Sequence, residues 1–164
     1  MKIHKYFLGI GSNIEPRRAY MHDSIAQLEK YGKIKEKSSL YESEPWGNKD
    51  QEFFYNAVIE FESELKPNDL LIKIKSIEQL LGRVKSKHWG PRNIDIDILL
   101  CDDQSIKKKH LQVPHKLIKE RQFVLQPIAE LTDEIVIEGQ KYNTEALIQM
   151  CPDNSKVNKL NLDW

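Results

Sequence analysis

Cysteine is scarce in this chain, with only Cys101 and Cys151 among 164 residues. Two thiols cannot build a disulfide framework, and no set of histidines and cysteines has zinc-finger spacing. Net charge is missing as well: 25 basic side chains balance 25 acidic ones. No global field therefore draws the chain to nucleic acid or to a membrane surface, and neither partner is expected. No apolar run approaches the roughly 18 residues of a membrane helix, and the opening MKIHKYFLGIGS is too short in apolar residues for a secretory signal. These absences set the expectation of a cytoplasmic protein, and a monomer is expected. Two nucleotide signatures are also lacking. There is no Walker A loop, and Gly9-Ile10-Gly11-Ser12-Asn13-Ile14 has no third glycine, so it reads as a tight strand end. No Gly-x-Ser-x-Gly elbow is found, and His4 and His22 carry no signal.

What remains is ordinary globular composition, 40% apolar and 30% charged, and a length suited to one domain over residues 1–164. The apolar pattern alternates between periods of two and of 3.6. Residues 5–11 read as a strand. Glu15-Pro16 opens a helix carrying Met21, Ile25 and Leu28, which Gly32 closes. Residues 33–43 read as one strand, followed by a Pro/Gly loop over 43–51. A third strand over 54–61 divides Tyr55, Ala57, Ile59 and Phe61 from Phe54, Asn56 and Val58. Pro67-Asn68-Asp69 starts a second helix with the stripe Leu70, Ile74, Ile77 and Leu81, capped by Gly82. A basic loop then leads into a strand over 94–100. The order strand, helix, strand, strand, helix, strand predicts an α+β fold. Its ferredoxin-like antiparallel sheet would carry two helices on one face. Beyond residue 101 a basic hairpin near 105–113, short helices over 114–131 and a terminal strand and helix form a C-terminal extension. Cys101 ends an apolar run and reads as a small buried hydrophobe.

The sharpest chemical feature is Asp95 and Asp97 in the run Ile94-Asp95-Ile96-Asp97-Ile98. Two residues apart on a strand, they share one face, about 6.6 Å apart at the Cα atoms. The three isoleucines face the other way. Paired carboxylates amid apolar residues are costly unless partnered. Side-by-side oxygen ligands suit magnesium, which leaves its remaining positions to water and phosphate. The bland alternative is a pair of salt bridges on a wet sheet face. The preceding loop favours the metal reading, because Arg83, Lys85, Lys87 and Arg92 are basic there and nothing is acidic. Arginine matches phosphate oxygens, and a basic loop beside a carboxylate strand is what phosphoryl transfer uses. Phe54 and Asn56, a ring and an amide on one strand face, could hold a flat nitrogen heterocycle, with Trp46 covering it. His115 and Arg121, in a second basic segment, could reach a nucleotide phosphate.

The run His88-Trp89-Gly90-Pro91-Arg92-Asn93-Ile94-Asp95-Ile96-Asp97-Ile98-Leu99 resembles the signature of the 6-hydroxymethyl-7,8-dihydropterin pyrophosphokinase family of folate biosynthesis. Gly9 to Asn13, Phe54-Tyr55-Asn56-Ala57, Val113-Pro114-His115 and Arg121-Gln122-Phe123 resemble further segments, so the likeness spans essentially the whole chain. It implies attack of the pterin hydroxymethyl oxygen on the β-phosphorus of ATP, giving AMP and the pterin diphosphate. Asp95 and Asp97 would hold two magnesium ions, and Arg83 and Arg92 would act as mobile and fixed cations. Ser43, Glu44, Pro45, Trp46, Gly47, Phe54, Asn56, Trp89 and Phe123 would surround the pterin. Glu78, Lys85, Trp89, Arg92, Ile98, His110, Leu111, Gln112, His115, Lys116 and Arg121 would line the ATP site. Lys85, Phe54, Trp46 and Lys116 depart from the family pattern. Two other readings keep part of this evidence. A different ATP-dependent transferase would retain the aspartates and change the acceptor. An RNA-binding sheet would show aromatics and basic residues where the carboxylates stand.

Overall fold

Alternation of side chains across extended backbone explains the centre of the molecule, as seen in a computed structural model describing residues 2–45, 50–82 and 93–164. Strands β1 (His4–Ser12), β4 (Phe54–Ser63) and β5 (Asp95–Cys101) lie side by side. β1 is in the middle and antiparallel to both neighbours. On one face Tyr6, Leu8, Ile10, Ala57, Ile59, Phe61, Ile96 and Ile98 form a continuous apolar surface. Two helices cover it: α1 (Arg17–Leu28), through Met21, Ile25 and Leu28, and α2 (Pro67–Leu80), through Leu70, Ile74 and Ile77. Pro67 stands in the first turn of α2, where a missing N–H costs nothing, and Gly82 just beyond it takes φ +91°. That left-handed backbone is why a glycine ends the helix.

The expected strand over 33–43 is interrupted. It forms β2 (Lys33–Lys37) and β3 (Tyr41–Ser43), both antiparallel to β4. Between the pairs Lys37/Ile59 and Tyr41/Asn56 this segment advances four residues while β4 advances three, so one residue is extra. The cause is local. Ser38 N donates to Val58 O at 2.9 Å, and the Ser38 hydroxyl then takes the Val58 N–H at 2.9 Å, where a ladder carbonyl would otherwise serve. The side chain substitutes for the backbone and the strand bulges. Trp164 closes over the break, donating from its indole to Ser38 O at 2.9 Å beneath the Lys37 ammonium.

The opposite sheet face is covered by the C-terminal part. After a short hairpin, β6 (Ile106–Lys108) and β7 (Leu111–Val113), a 3-10 turn over Ile118–Glu120 leads into α3 (Gln122–Leu131). Val124, Leu125 and Ile128 pack on Phe7, Val58, Leu99 and Leu100. A second hairpin, β8 (Glu134–Ile137) with β9 (Gln140–Asn143), and α4 (Thr144–Met150) complete this layer. A last strand, β10 (Val157–Lys159), pairs with β3, so the large sheet runs β10, β3, β4, β1, β5, with β2 continuing beside β4. The α+β class expected from the sequence is present: among the described residues, an antiparallel sheet with four α-helices, the second face being covered by the extension. Among the described residues no helix is long and apolar enough to cross a membrane.

Candidate active site

Two glycines on β1 make the site possible. Antiparallel pairing sets Gly11 between Asn56 and Asp95, and Gly9 between Val58 and Asp97. These residues share the face away from α1 and α2. With strands spaced about 4.8 Å apart, each row places an amide or apolar group on β4 and a carboxylate on β5 about 10 Å apart. The glycines themselves put no side chain between them; Leu99 leans over Gly9 and the Asn56 amide over Gly11. A cavity of about 530 Å³ opens above this bare strip. Its floor is Gly9, Gly11, Asn56, Asp95 and Asp97, and its far wall is the segment from His115 to Val124.

At the amide end, Asn56 is buried and donates to the Ser43 hydroxyl at 2.6 Å. This bond fixes the amide plane across β3 and β4. Phe54, Glu44 and Phe123 complete that end. Pro45 is buried beside it. The loop beyond is anchored by Asn13, whose amide donates to Gln51 Oε1 at 2.7 Å and to Glu52 O at 3.1 Å.

At the carboxylate end, Asp95 and Asp97 are half-buried. Burial, then the neighbouring charge of Asp95, pushes the Asp97 carboxyl up to about 7, and Arg121 opposes the shift. Two like charges held together on a partly dry floor are unfavourable without a cation. The donor set is oxygen only. The residues present therefore fit a hard divalent ion such as magnesium. Arg121 is 7% exposed; burial lowers the pKa of its guanidinium while both aspartates hold it up. Its guanidinium lies 5.3 Å from the centre of the Phe123 ring. His115 Nδ1 accepts from Leu117 N at 3.1 Å. Burial, with Arg121 adding to it, lowers the imidazole pKa to about 4, so the ring is neutral at pH 7 and its proton sits on Nε2.

This depression has a measurable sign. The folded imidazole releases its proton more readily than the unfolded one. His115 therefore contributes stability that is complete above about 6.5 and lost as pH falls towards 4. In His115→Asn, the loss of melting temperature between those pH values is expected to be smaller than in the parent.

Several other expected residues have structural surroundings of their own. Glu78 is 1% exposed, and its carboxylate accepts from Ile96 N at 2.9 Å while lying 3.3 Å from Lys75 Nζ. It thus satisfies the outer edge of β5 and holds the strand that presents both aspartates. Glu78→Ala leaves that N–H unpaired and is expected to cost about 2 kcal/mol in urea denaturation. Ile98 points into the core beneath α1 and α2. Leu111 is buried in the same cluster. His110 is exposed on the hairpin, with a ring nitrogen 3.0 Å from Asn68 Oδ1, and Gln112 is also exposed. Lys116 lines the cavity. Trp46, Gly47, Arg83, Lys85, Trp89 and Arg92 lie outside the described residues. Sequence reading missed Gly9 and Gly11 as a floor, though glycines at alternate strand positions were a usable signal. It also missed Lys75, which enters the cavity from α2.

Residues 7–133 match the sequence profile of the 7,8-dihydro-6-hydroxymethylpterin-pyrophosphokinase family. The chain is 39% identical over 148 residues to a 2-amino-4-hydroxy-6-hydroxymethyldihydropteridine pyrophosphokinase of Methylorubrum extorquens, covering 89% of this chain and 93% of that one. A protein of the same name from Aquifex aeolicus is 41% identical over 130 residues, 79% of this chain and 81% of that one. The fold is similar to a solved Plasmodium falciparum HPPK-DHPS with pterin and p-hydroxybenzoate, at a TM-score of 0.71 and 16% identity. That likeness covers 92% of this chain and 42% of the longer Plasmodium one.

Proposed function

The chain belongs to the 7,8-dihydro-6-hydroxymethylpterin-pyrophosphokinase family, and from that premise we propose that it transfers the β,γ-diphosphoryl group of ATP to the hydroxymethyl oxygen of 6-hydroxymethyl-7,8-dihydropterin. The frame for this chemistry is the split β-α-β-β-α-β, ferredoxin-like arrangement, a reading supported by the antiparallel order β3, β4, β1, β5. The observation that carries the functional proposal is the row Asn56–Gly11–Asp95. It puts an amide able to pair with a heterocycle's edge at one end and a carboxylate at the other, with a glycine between them that leaves room for a flat ring.

In this reading the pterin lies on the glycine floor. Asn56, held by Ser43, reads its hydrogen-bonding edge, and Phe54 and Phe123 offer ring faces. The hydroxymethyl group then points toward β5. Asp95 and Asp97 would hold magnesium, which supplies charge neutralisation on the phosphate oxygens when bound. Arg121, Lys75 and Lys116 add positive charge on the phosphate side. Neutral His115 can donate from Nε2 without requiring an acidic medium. The acceptor oxygen forms its bond to the β-phosphorus as the bond to the α-bridging oxygen breaks; the hydroxyl proton passes to solvent and AMP leaves. Arg83 and Arg92 would act as mobile and fixed cations. Trp46, Gly47 and Trp89 would cover the pterin, and Lys85 would contact ATP. Closure over both substrates keeps water from taking the diphosphate.

The test is product analysis. Purified protein with ATP, magnesium and the dihydropterin alcohol is expected to give AMP and pterin diphosphate in equal amounts by mass spectrometry. Formation of ADP, or failure to form AMP while ATP binds, would refute the assignment.

A further inference from the structure

A second cluster of ligating side chains lies at the other end of β1 and β5, about 20 Å along the strands from the glycine floor. His4 begins β1, Cys101 ends β5 and Asp102 follows it. Strand pairing sets Tyr6 against Cys101, and Asp102 N donates to Lys5 O at 2.8 Å, so residues distant in sequence converge. His4 Nδ1 lies 2.8 Å from Asp102 Oδ2, and Cys101 Sγ lies 3.8 Å from the same oxygen. The three ligand atoms all fall within 4.8 Å of one another. His4 is 8% exposed and Cys101 fully buried. Asp102 has φ +49°, a left-handed turn that folds its carboxylate back over the strand ends. Its second oxygen is already committed, accepting from Lys5 N at 2.9 Å.

We propose that His4, Cys101 and Asp102 form a binding site for a zinc-class divalent cation, separate from the magnesium-type pair in the cavity. A nitrogen, a sulfur and an oxygen donor together discriminate against magnesium and calcium, which take oxygen ligands, and suit zinc, which accepts all three. The geometry is close to what such an ion requires. With bonds of about 2.0–2.1 Å to nitrogen and oxygen and about 2.3 Å to sulfur, tetrahedral ligands lie about 3.3–3.6 Å apart. His4 and Asp102 need to separate by about half an ångström, while Cys101 needs to approach Asp102 by a few tenths and, from up to 4.8 Å, His4 by up to about an ångström. Water takes the fourth position on the side where the Lys2 ammonium stands 3.8 Å from Asp102 Oδ2, and the Gln104 amide, which donates to the same oxygen at 3.4 Å and to Cys101 Sγ at 3.8 Å, must turn aside to admit the ion. The N–H of Lys5 on the remaining carboxylate oxygen is the kind of outer support that orients a metal ligand. Binding breaks the Cys101 S–H bond and releases that proton to solvent. His4 coordinates through Nδ1 with its ring proton on Nε2. The ion thus takes the place of the hydrogen between His4 and Asp102 and joins the start of β1 to the end of β5.

Cobalt(II) is the probe, because a thiolate ligand gives it a near-ultraviolet charge-transfer band that carboxylates do not. Titration of the full chain in excess magnesium is expected to saturate at one thiolate-bound cobalt per chain, and equimolar zinc should displace it. Cys101→Ser abolishes the band, and Cys151→Ser keeps it. His4→Gln, which keeps a polar side chain at a position outside the two apolar clusters, weakens cobalt binding by about tenfold or more. Absence of the band in the parent protein, its survival in Cys101→Ser, or unaltered affinity in His4→Gln overturns the proposal. Should Cys101→Ser fail to fold by circular dichroism, His4→Gln decides the matter alone.

Discussion

Asp97→Asn is expected to lower the rate of AMP formation by about three orders of magnitude or more while making the metal-free protein more stable at pH 8. Both effects come from one carboxylate. In the proposed reaction it helps to hold the cation against the transferring phosphates, and an amide is a much poorer ligand for a hard ion. Without the cation, its charge is a liability, since burial and Asp95 push its carboxyl from 3.8 up to about 7. The folded state then holds the Asp97 proton more tightly than the unfolded state does. Protonated Asp97 contributes stability that is complete below about 3.8 and is lost as pH rises through about 7. The asparagine variant lacks this loss. His115 acts with opposite sign over part of the same range, so the informative quantity is the difference between variant and parent. Melting curves in chelator from pH 4 to 8 measure the stability effect, and single-turnover assays measure the rate. A variant within tenfold of parental activity would remove Asp97 from the reaction. A variant that destabilises at pH 8 would contradict the electrostatic account.

The second large effect is expected from a single added methyl group. A Cβ at Gly11 would lie 2.8 Å from Asn56 Oδ1, closer than such atoms approach. In Gly11→Ala the amide must move, which disturbs its 2.6 Å bond to Ser43 and places carbon where the ring would rest. Affinity for the dihydropterin alcohol is expected to fall about 100-fold, equivalent to roughly 2.7 kcal/mol. ATP binding changes little, because its side of the cavity is not touched. Gly9→Ala is the internal comparison: its Cβ meets Leu99 at 3.4 Å, an ordinary contact that the leucine can relieve. Calorimetric titration of each ligand separately tests this. Equal losses for both glycines, or loss of ATP instead of pterin, would show that the floor does not carry the acceptor.

Much of this architecture was legible because it rests on short-range periodicity. Ile94, Ile96 and Ile98 already assigned Asp95 and Asp97 to the opposite face, and the stripe in 70–81 already described a helix against a core. Features that depend on one atom's choice of partner were not legible. Nothing in the pattern of 33–43 says that the Ser38 hydroxyl will replace a carbonyl and break the strand. Glu78 illustrates a different limit. Resemblance sets it in the nucleotide site, but no sequence pattern announces that its carboxylate also accepts from Ile96 N and braces β5. Distance along the chain also conceals. His4 carries no signal and Cys101 reads as core until strand register brings them to Asp102.

The sheet separates two sets of demands. Ile96 and Ile98 belong to the cluster under α1 and α2, while Leu99 belongs to the layer beneath α3, and Asp95 and Asp97 open into the cavity. Successive codons of β5 therefore answer to different selection. Changes on the isoleucine side are judged by whether the chain folds, and changes on the aspartate side by what it can convert. In the proposed reaction, mutations at Asn56 or Ser43 retune acceptor choice while the cluster under α1 and α2, on the other side of a single strand, keeps the chain folded.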